Sequence, residues 1–196
     1  MTKRRIGIYS GSFDPIHLGH ITFALQAIEE AGLEKVYFLP ERQPQNKDIH
    51  EHFGHRVAMI KKAIKPHKKL DLLEISDKTF TVKSTLPKLQ SLFKDKKLVF
   101  LFGSDKIKGL IDWPYAKNLL NSSDIVIGLR QGSSHSSITK DTATWPKPPS
   151  KIIASYWPGV VSTEIRRSLQ NGQSANGLVK SVALYIRKNW LYTSIK

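Results

Sequence analysis

The sequence predicts an α/β domain built on a parallel sheet, and three observations carry that expectation. Short apolar runs alternate with segments of helical period at the interval of βαβ units. Several of those runs are continuously apolar, which suits strands covered on both faces. Forty per cent of the residues are hydrophobic, enough for a core.

The elements follow in order. Residues 5–9 read as a short strand, followed by a polar, glycine-containing turn over 10–18. From Gly19 the period changes: Ile21, Leu25, Ile28 and Ala31 recur at helical spacing, with Gly32 as the C-terminal cap. Residues 35–39 form the next strand and stop at Pro40. Phe53, Val57, Ile60 and Ile64 mark a second amphipathic helix ended by Pro66. Strands are expected over 70–73, 98–102, 125–129 and 152–154, and a helix over 84–93. The Ser-, Thr- and Pro-rich segment 131–150 reads as a mobile surface loop. The last thirty-odd residues read as purely helical, with Leu178, Val182, Tyr185 and Ile186 on one stripe. No internal repeat or domain boundary is visible, so 1–196 reads as one domain with a helical extension over about 160–196.

Composition narrows the function classes. No run reaches about 18 apolar residues, so no membrane span is expected. The charged tip ahead of Ile8 lacks the pattern of a signal peptide, and the expected location is the cytoplasm. Zero cysteines exclude disulfides, thiolate zinc sites and cysteine nucleophiles. Thirty-one Lys+Arg against sixteen Asp+Glu leave a net charge of +15, a surface that attracts nucleotides, nucleic acid or acidic lipid. Lys61, Lys62, Lys65, Lys68 and Lys69 read as a solvated face. His50, His52 and His55 cluster without metal-ligand spacing, and a surface or structural role suits them better than a metal site.

Two segments point to phosphate chemistry. Ser10-Gly11-Ser12-Phe13-Asp14-Pro15-Ile16-His17-Leu18-Gly19-His20 lies at a strand-to-helix junction, where free backbone N–H groups and the helix dipole favour an anion. His17 and His20 are three apart and share one side of the opening turn, placed to donate to phosphate oxygens. Gly19 between them lets a phosphate approach the backbone. The second segment is Val160-Val161-Ser162-Thr163-Glu164-Ile165-Arg166-Arg167. Ser162 or Thr163 caps a helix that runs to Gln170, and cations near a helix start imply a nearby anion. Arg166 is the candidate; Arg167 can instead pair with Glu164. A third, weaker signal is Gly103-Ser104-Asp105 after a buried strand. There the glycine permits close approach, and the carboxylate can accept from ribose hydroxyls. Trp113 either stacks on a heteroaromatic ring or packs in the core. Neither a P-loop nor a Gly-x-Gly-x-x-Gly after the first strand is present.

Taken together, these motifs resemble the nucleotidylyltransferase superfamily, and within it the bacterial nicotinate-nucleotide adenylyltransferases. The resemblance runs over most of the chain: Gly11-Ser12-Phe13-Asp14-Pro15 with His17 and His20, Phe80-Thr81-Val82, Gly103-Ser104-Asp105 with Trp113, Ser162-Thr163-Glu164-Ile165-Arg166, and a Val182…Tyr185-Ile186…Leu191-Tyr192 tail. It implies a Rossmann-like sheet with helices on both faces and a small C-terminal helical part. It implies transfer of AMP from ATP to nicotinate mononucleotide, with Mg²⁺ carried by the ATP phosphates. His17, His20 and Arg166 would be catalytic, holding the reacting and leaving phosphates. Gly11, Ser12, Phe13, His20, Gly103, Asp105, Ser162, Thr163 and Arg166 would bind ATP, and Ser10, Lys47, Thr81 and Trp113 the acceptor. The partners implied are ATP and a pyridine mononucleotide; neither a membrane nor nucleic acid is expected, and a homo-oligomer is left open. The acceptor half departs from the family pattern: Pro44-Gln45-Asn46-Lys47 keeps only the outer residues of the usual Pro-Pro-His-Lys, and Phe80 replaces Tyr. Nicotinamide mononucleotide or phosphopantetheine are the alternative acceptors, and a non-catalytic basic nucleic-acid binder is the alternative class.

Overall fold

The structure is a computed structural model that describes residues 3–45 and 48–193. Six strands, β1 (Arg4–Gly11), β2 (Lys35–Pro40), β3 (Leu70–Leu72), β4 (Lys96–Gly103), β5 (Asp124–Leu129) and β6 (Lys151–Ala154), form one parallel sheet in the order β3-β2-β1-β4-β5-β6. This is the doubly wound Rossmann-like order, in which the direction of winding reverses between β1 and β4. The predicted strands are all present, each within a residue or two of its expected bounds.

The continuous apolar runs have their predicted reason. Along β4, Leu98, Phe100 and Phe102 enter one core cluster while Val99 and Leu101 enter the other, because successive side chains leave opposite faces. On one face the core is filled from α1 (Leu18–Glu30), α2 (Phe53–Ile64) and α7 (Lys180–Lys188). On the other it is filled from α3 (Thr85–Leu92), α4 (Ala116–Ser122) and α5 (His135–Asp141). Helices therefore cover both faces. Gly32, just past α1, takes φ 62, the left-handed conformation expected of a glycine that ends a helix.

Two expectations are corrected. Segment 131–150 is not simply a loop: it contains α5, opened by Ser134, whose hydroxyl accepts from the Ser137 N–H. Ile138 and Trp145 anchor it in the core. Serines that read as loop residues here act as a helix cap, and two apolar residues in a polar stretch are enough to dock it. The C-terminal part is not purely helical either. α6 (Ser162–Gln170) ends before Gly172, which takes φ 69, and α7 starts only at Lys180. The predicted stripe holds, with Val182 and Ile186 buried and Leu178 and Tyr185 packed against the same cluster. Among the described residues no helix is long and apolar enough to cross a membrane.

Candidate active site

β1 delivers its carboxyl end to the reversal point of the sheet, where the order runs to β2 on one side and to β4 on the other. Beyond Gly11 the chain turns through Phe13 at φ 49, an uncommon conformation for an aromatic residue. Burial holds it there: the ring is 2% exposed and packs edge-on against Tyr9 at 5.5 Å and Phe38 at 5.3 Å. Asp14 follows with its carboxylate turned inward, accepting from the Tyr192 hydroxyl at 2.6 Å and the His50 backbone N–H at 2.8 Å.

His17 occupies the N-cap of α1 and its ring stacks on that of His20, with centroids 3.7 Å apart. The His17 backbone N–H donates to His20 Nδ1 at 3.3 Å, so the proton of a neutral His20 ring resides on Nε2. Burial, assisted by the Arg130 guanidinium, pushes the His17 pKa down to about 3, and the ring is uncharged at neutral pH. Gly19 has a packing role in the structure. A Cβ there would stand 3.1 Å from the His17 ring and 3.3 Å from the Trp157 carbonyl, so the missing side chain makes room for His17.

Opposite α1 stands the start of α6. Its N-cap is Val161, not Ser162 or Thr163. Ser162 Oγ instead donates to the Pro15 carbonyl at 3.1 Å, tying the two helix starts together. Arg166 donates from Nη1 to the Asp14 carbonyl at 2.8 Å and from Nη2 to Thr163 Oγ1 at 3.5 Å. Arg167 pairs with Glu164 at 3.0 Å. The third wall comes from the ends of β4 and β5. A Cβ on Gly103 would fall 2.4 Å from Asp105 Oδ1, so only glycine lets that carboxylate fold back over the strand end. Asp105 lies 3.6 Å from Arg130 Nε, and Arg130 Nη1 donates to the Val160 carbonyl at 3.3 Å.

These three walls enclose one cavity of about 670 Å³. It is bordered by Ser10, Gly11, Ser12, Phe13, His17, His20, Gly103, Asp105, Ser162, Thr163 and Arg166 from the predicted set, and by Arg130. Three buried side-chain polar atoms lack a hydrogen-bond partner among the described residues: His17 Nδ1, Arg166 Nε and Trp145 Nε1. The residues bearing the first two border this cavity, one at each helix start. The His17 ring lies against the first turn in a capping-box arrangement, yet its Nδ1 makes no hydrogen bond. Leaving such atoms unpaired is costly, and a ligand in the cavity can relieve the cost.

Other predicted residues lie elsewhere. Thr81 Oγ1 is engaged in its own turn, with the Ser84 hydroxyl and N–H at 2.6 and 3.1 Å. Trp113 takes the packing alternative, edge-on to Phe102 at 6.0 Å against the second core cluster. Lys47 lies outside the described residues. Of the clustered histidines, His55 Nδ1 meets the Tyr185 hydroxyl at 3.0 Å.

Two arginines escaped the sequence reading. Arg130 directly follows the apolar run of β5, and the rule that ligands gather at strand carboxyl ends points to it. Arg56 is fully buried and donates to the carbonyls of Ser12 at 2.6 Å, Arg42 at 3.0 Å and Glu51 at 3.2 Å. It stands three residues after Phe53 and four before Ile60, on the inward stripe of α2, and that spacing was the available signal.

Comparison with known proteins agrees with this geometry. Residues 8–168 match the family described as cytidylyltransferase-like. The nicotinate-nucleotide adenylyltransferase of Bacillus subtilis is 31% identical over 201 residues, covering 97% of this chain and all of the relative. A Neisseria meningitidis protein named as a probable nicotinate-nucleotide adenylyltransferase is 30% identical, covering 96% of this chain and 98% of the relative. Among solved structures, Plasmodium falciparum nicotinic acid mononucleotide adenylyltransferase complexed with NaAD superposes with a TM-score of 0.81 at 23% identity, over 96% of this chain and 97% of that one, a likeness of fold. With the strand order, the paired histidines and the match over 8–168 all in accord, the chain belongs to the cytidylyltransferase-like family, among the nicotinate-nucleotide adenylyltransferases.

Proposed function

We propose that this chain transfers the AMP moiety of ATP to nicotinate mononucleotide, forming nicotinate adenine dinucleotide and pyrophosphate. One observation carries the reading: two helix starts open on a single cavity, each contributing a residue with a buried, unpartnered polar nitrogen, His17 on one side and Arg166 on the other. The relatives and the solved complex support nicotinate mononucleotide as the acceptor.

The chemistry follows from the charges. A phosphomonoester is largely a dianion at neutral pH, so its oxygen attacks the ATP α-phosphorus without a base. The new O–Pα bond forms as the bond from Pα to the bridging oxygen breaks, and pyrophosphate leaves with that electron pair. Catalysis then consists of alignment and charge stabilisation. Uncharged His17 orients by hydrogen bonding, while His20 donates from Nε2 to the growing charge. Arg166 and Arg130 hold the leaving pyrophosphate. Gly11, Ser12 and Phe13 present backbone to the nucleotide, and Asp105 takes the ribose. Mg²⁺ comes with the ATP phosphates as part of the substrate. Ser10, which borders the cavity, takes the acceptor; Trp113 packs behind Phe102, which lines the cavity, and supports that ring.

The test is acceptor-dependent pyrophosphate release from ATP, with nicotinate mononucleotide, nicotinamide mononucleotide and phosphopantetheine compared. Nicotinate mononucleotide is expected to be the best acceptor. His20→Ala is expected to lower kcat about 10²–10³-fold with the fold retained, the scale of losing one transition-state donor. Preference for another acceptor overturns the substrate assignment, and no release with any of them overturns the enzymatic one.

A further inference from the structure

The Leu191-Tyr192 tail has no part in the chemistry above, yet it packs against Asp14, a residue that lines the cavity. Tyr192 is 4% exposed, and its hydroxyl donates to Asp14 Oδ1 at 2.6 Å. Its backbone N–H donates to Glu51 Oε1 at 2.9 Å. Bringing it there takes two non-glycine residues into the left-handed region, Trp190 at φ 54 and Tyr192 at φ 59. That backbone persists only where surrounding contacts impose it.

Asp14 thus has two ends with separate duties. Its buried carboxylate faces the tail, held by Tyr192 and by the His50 N–H at 2.8 Å. Its carbonyl faces the cavity and accepts the short bond from Arg166 Nη1 at 2.8 Å, while the other bond of that guanidinium, to Thr163 Oγ1, is 3.5 Å long. Arg166 Nε has no hydrogen-bond partner among the described residues. The pose of Arg166 therefore depends mainly on where the Asp14 peptide is fixed, and the shortest bond fixing that residue comes from Tyr192. Burial and the Asp14 carboxylate push the Tyr192 phenol well above its ordinary pKa, so it stays a donor.

We infer that Tyr192 is a positioning residue, which sets the pose of Arg166 in the cavity by way of Asp14. The inference rests on the adenylyl-transfer reading, in which Arg166 holds the ATP phosphates.

A double-mutant cycle on MgATP affinity, measured by calorimetry well below the melting temperature, tests it. Tyr192→Phe keeps the ring and removes the donor. In the otherwise unchanged protein it is expected to weaken MgATP about tenfold, the scale of one hydrogen bond to a charged group. In an Arg166→Ala background the same change is expected to alter affinity less than about twofold, because residues acting through one another are non-additive. Asp14→Asn, which retains the carbonyl used by Arg166 but weakens the side-chain bonds from Tyr192 and from the His50 N–H, is expected to follow the same pattern and serves if Tyr192→Phe folds poorly. Tyr185→Phe, which removes a tail hydroxyl bonded to His55 outside the cavity, is the control and should leave affinity unchanged. Equal losses in both backgrounds, no loss at all, or an equal loss in the control overturn the inference. Absence of MgATP binding or turnover in the unsubstituted protein overturns the functional reading itself, so the two failures are distinguishable.

Discussion

Acidification should destabilise this protein through His17. The ring is 1% exposed, and its pKa is held near 3, against an ordinary value of about 6.5 in the unfolded chain. Because the folded value is depressed, the unfolded state binds the proton first. The stability contribution is fully present above the unfolded pKa and is lost as pH falls below it. At pH 5 the unfolded ring is about 97% protonated while the folded ring is not, which corresponds to a loss of about 2 kcal/mol between pH 7 and 5. Any folded value below about 4 gives the same figure. For a chain of this length that equals about 4–8 °C in melting temperature. The assay compares thermal unfolding at pH 7 and pH 5 for the protein and for His17→Asn, which cannot titrate; other groups contribute to both and cancel. His17→Asn is expected to lose about 2 kcal/mol less than the parent over that interval. Equal losses in the two proteins, or an imidazole resonance of His17 titrating near pH 6.5, would refute the argument.

The remaining predictions concern residues that frame the cavity. Arg56→Met keeps the bulk of the side chain but strips three carbonyls, one buried and two part-buried, of their donor, and should cost about 3–5 kcal/mol, seen as a lower urea midpoint. An unchanged midpoint would mean that water replaces the guanidinium. Gly103→Ala places a Cβ 2.4 Å from Asp105 Oδ1 and should displace that carboxylate. A several-fold rise in KM for ATP with little change in melting temperature is expected from steady-state pyrophosphate assays, and an unchanged KM would remove Asp105 from the nucleotide site.

Much of the site was legible because its signals are local. The placement of His17 and His20 depends only on a strand running into a helix, and three-residue spacing aligns them however the rest of the chain folds. Arg166 was legible for a similar reason, since a cation in the first turns of a helix needs an anion nearby. The resemblance to a known family then joined these separate segments. The loop over 131–150 was misread because capping serines and loop serines look alike until a buried surface is available to receive Ile138 and Trp145.

The alternation of strands and helices, the sheet class and the two helix starts that border the cavity were readable from the chain alone, since periodicity and the spacing of residues within one turn are written in neighbouring residues. Which distant groups meet was settled by the folded chain. It brought Arg130 to the cavity wall, and Trp113 into packing behind Phe102 instead of onto the cavity wall. It buried Arg56 against the carbonyl of Ser12, and it carried Tyr192 across 178 positions to Asp14. Such pairings depend on the sheet order and on how the last helix docks, and these arise from burial summed over the whole core.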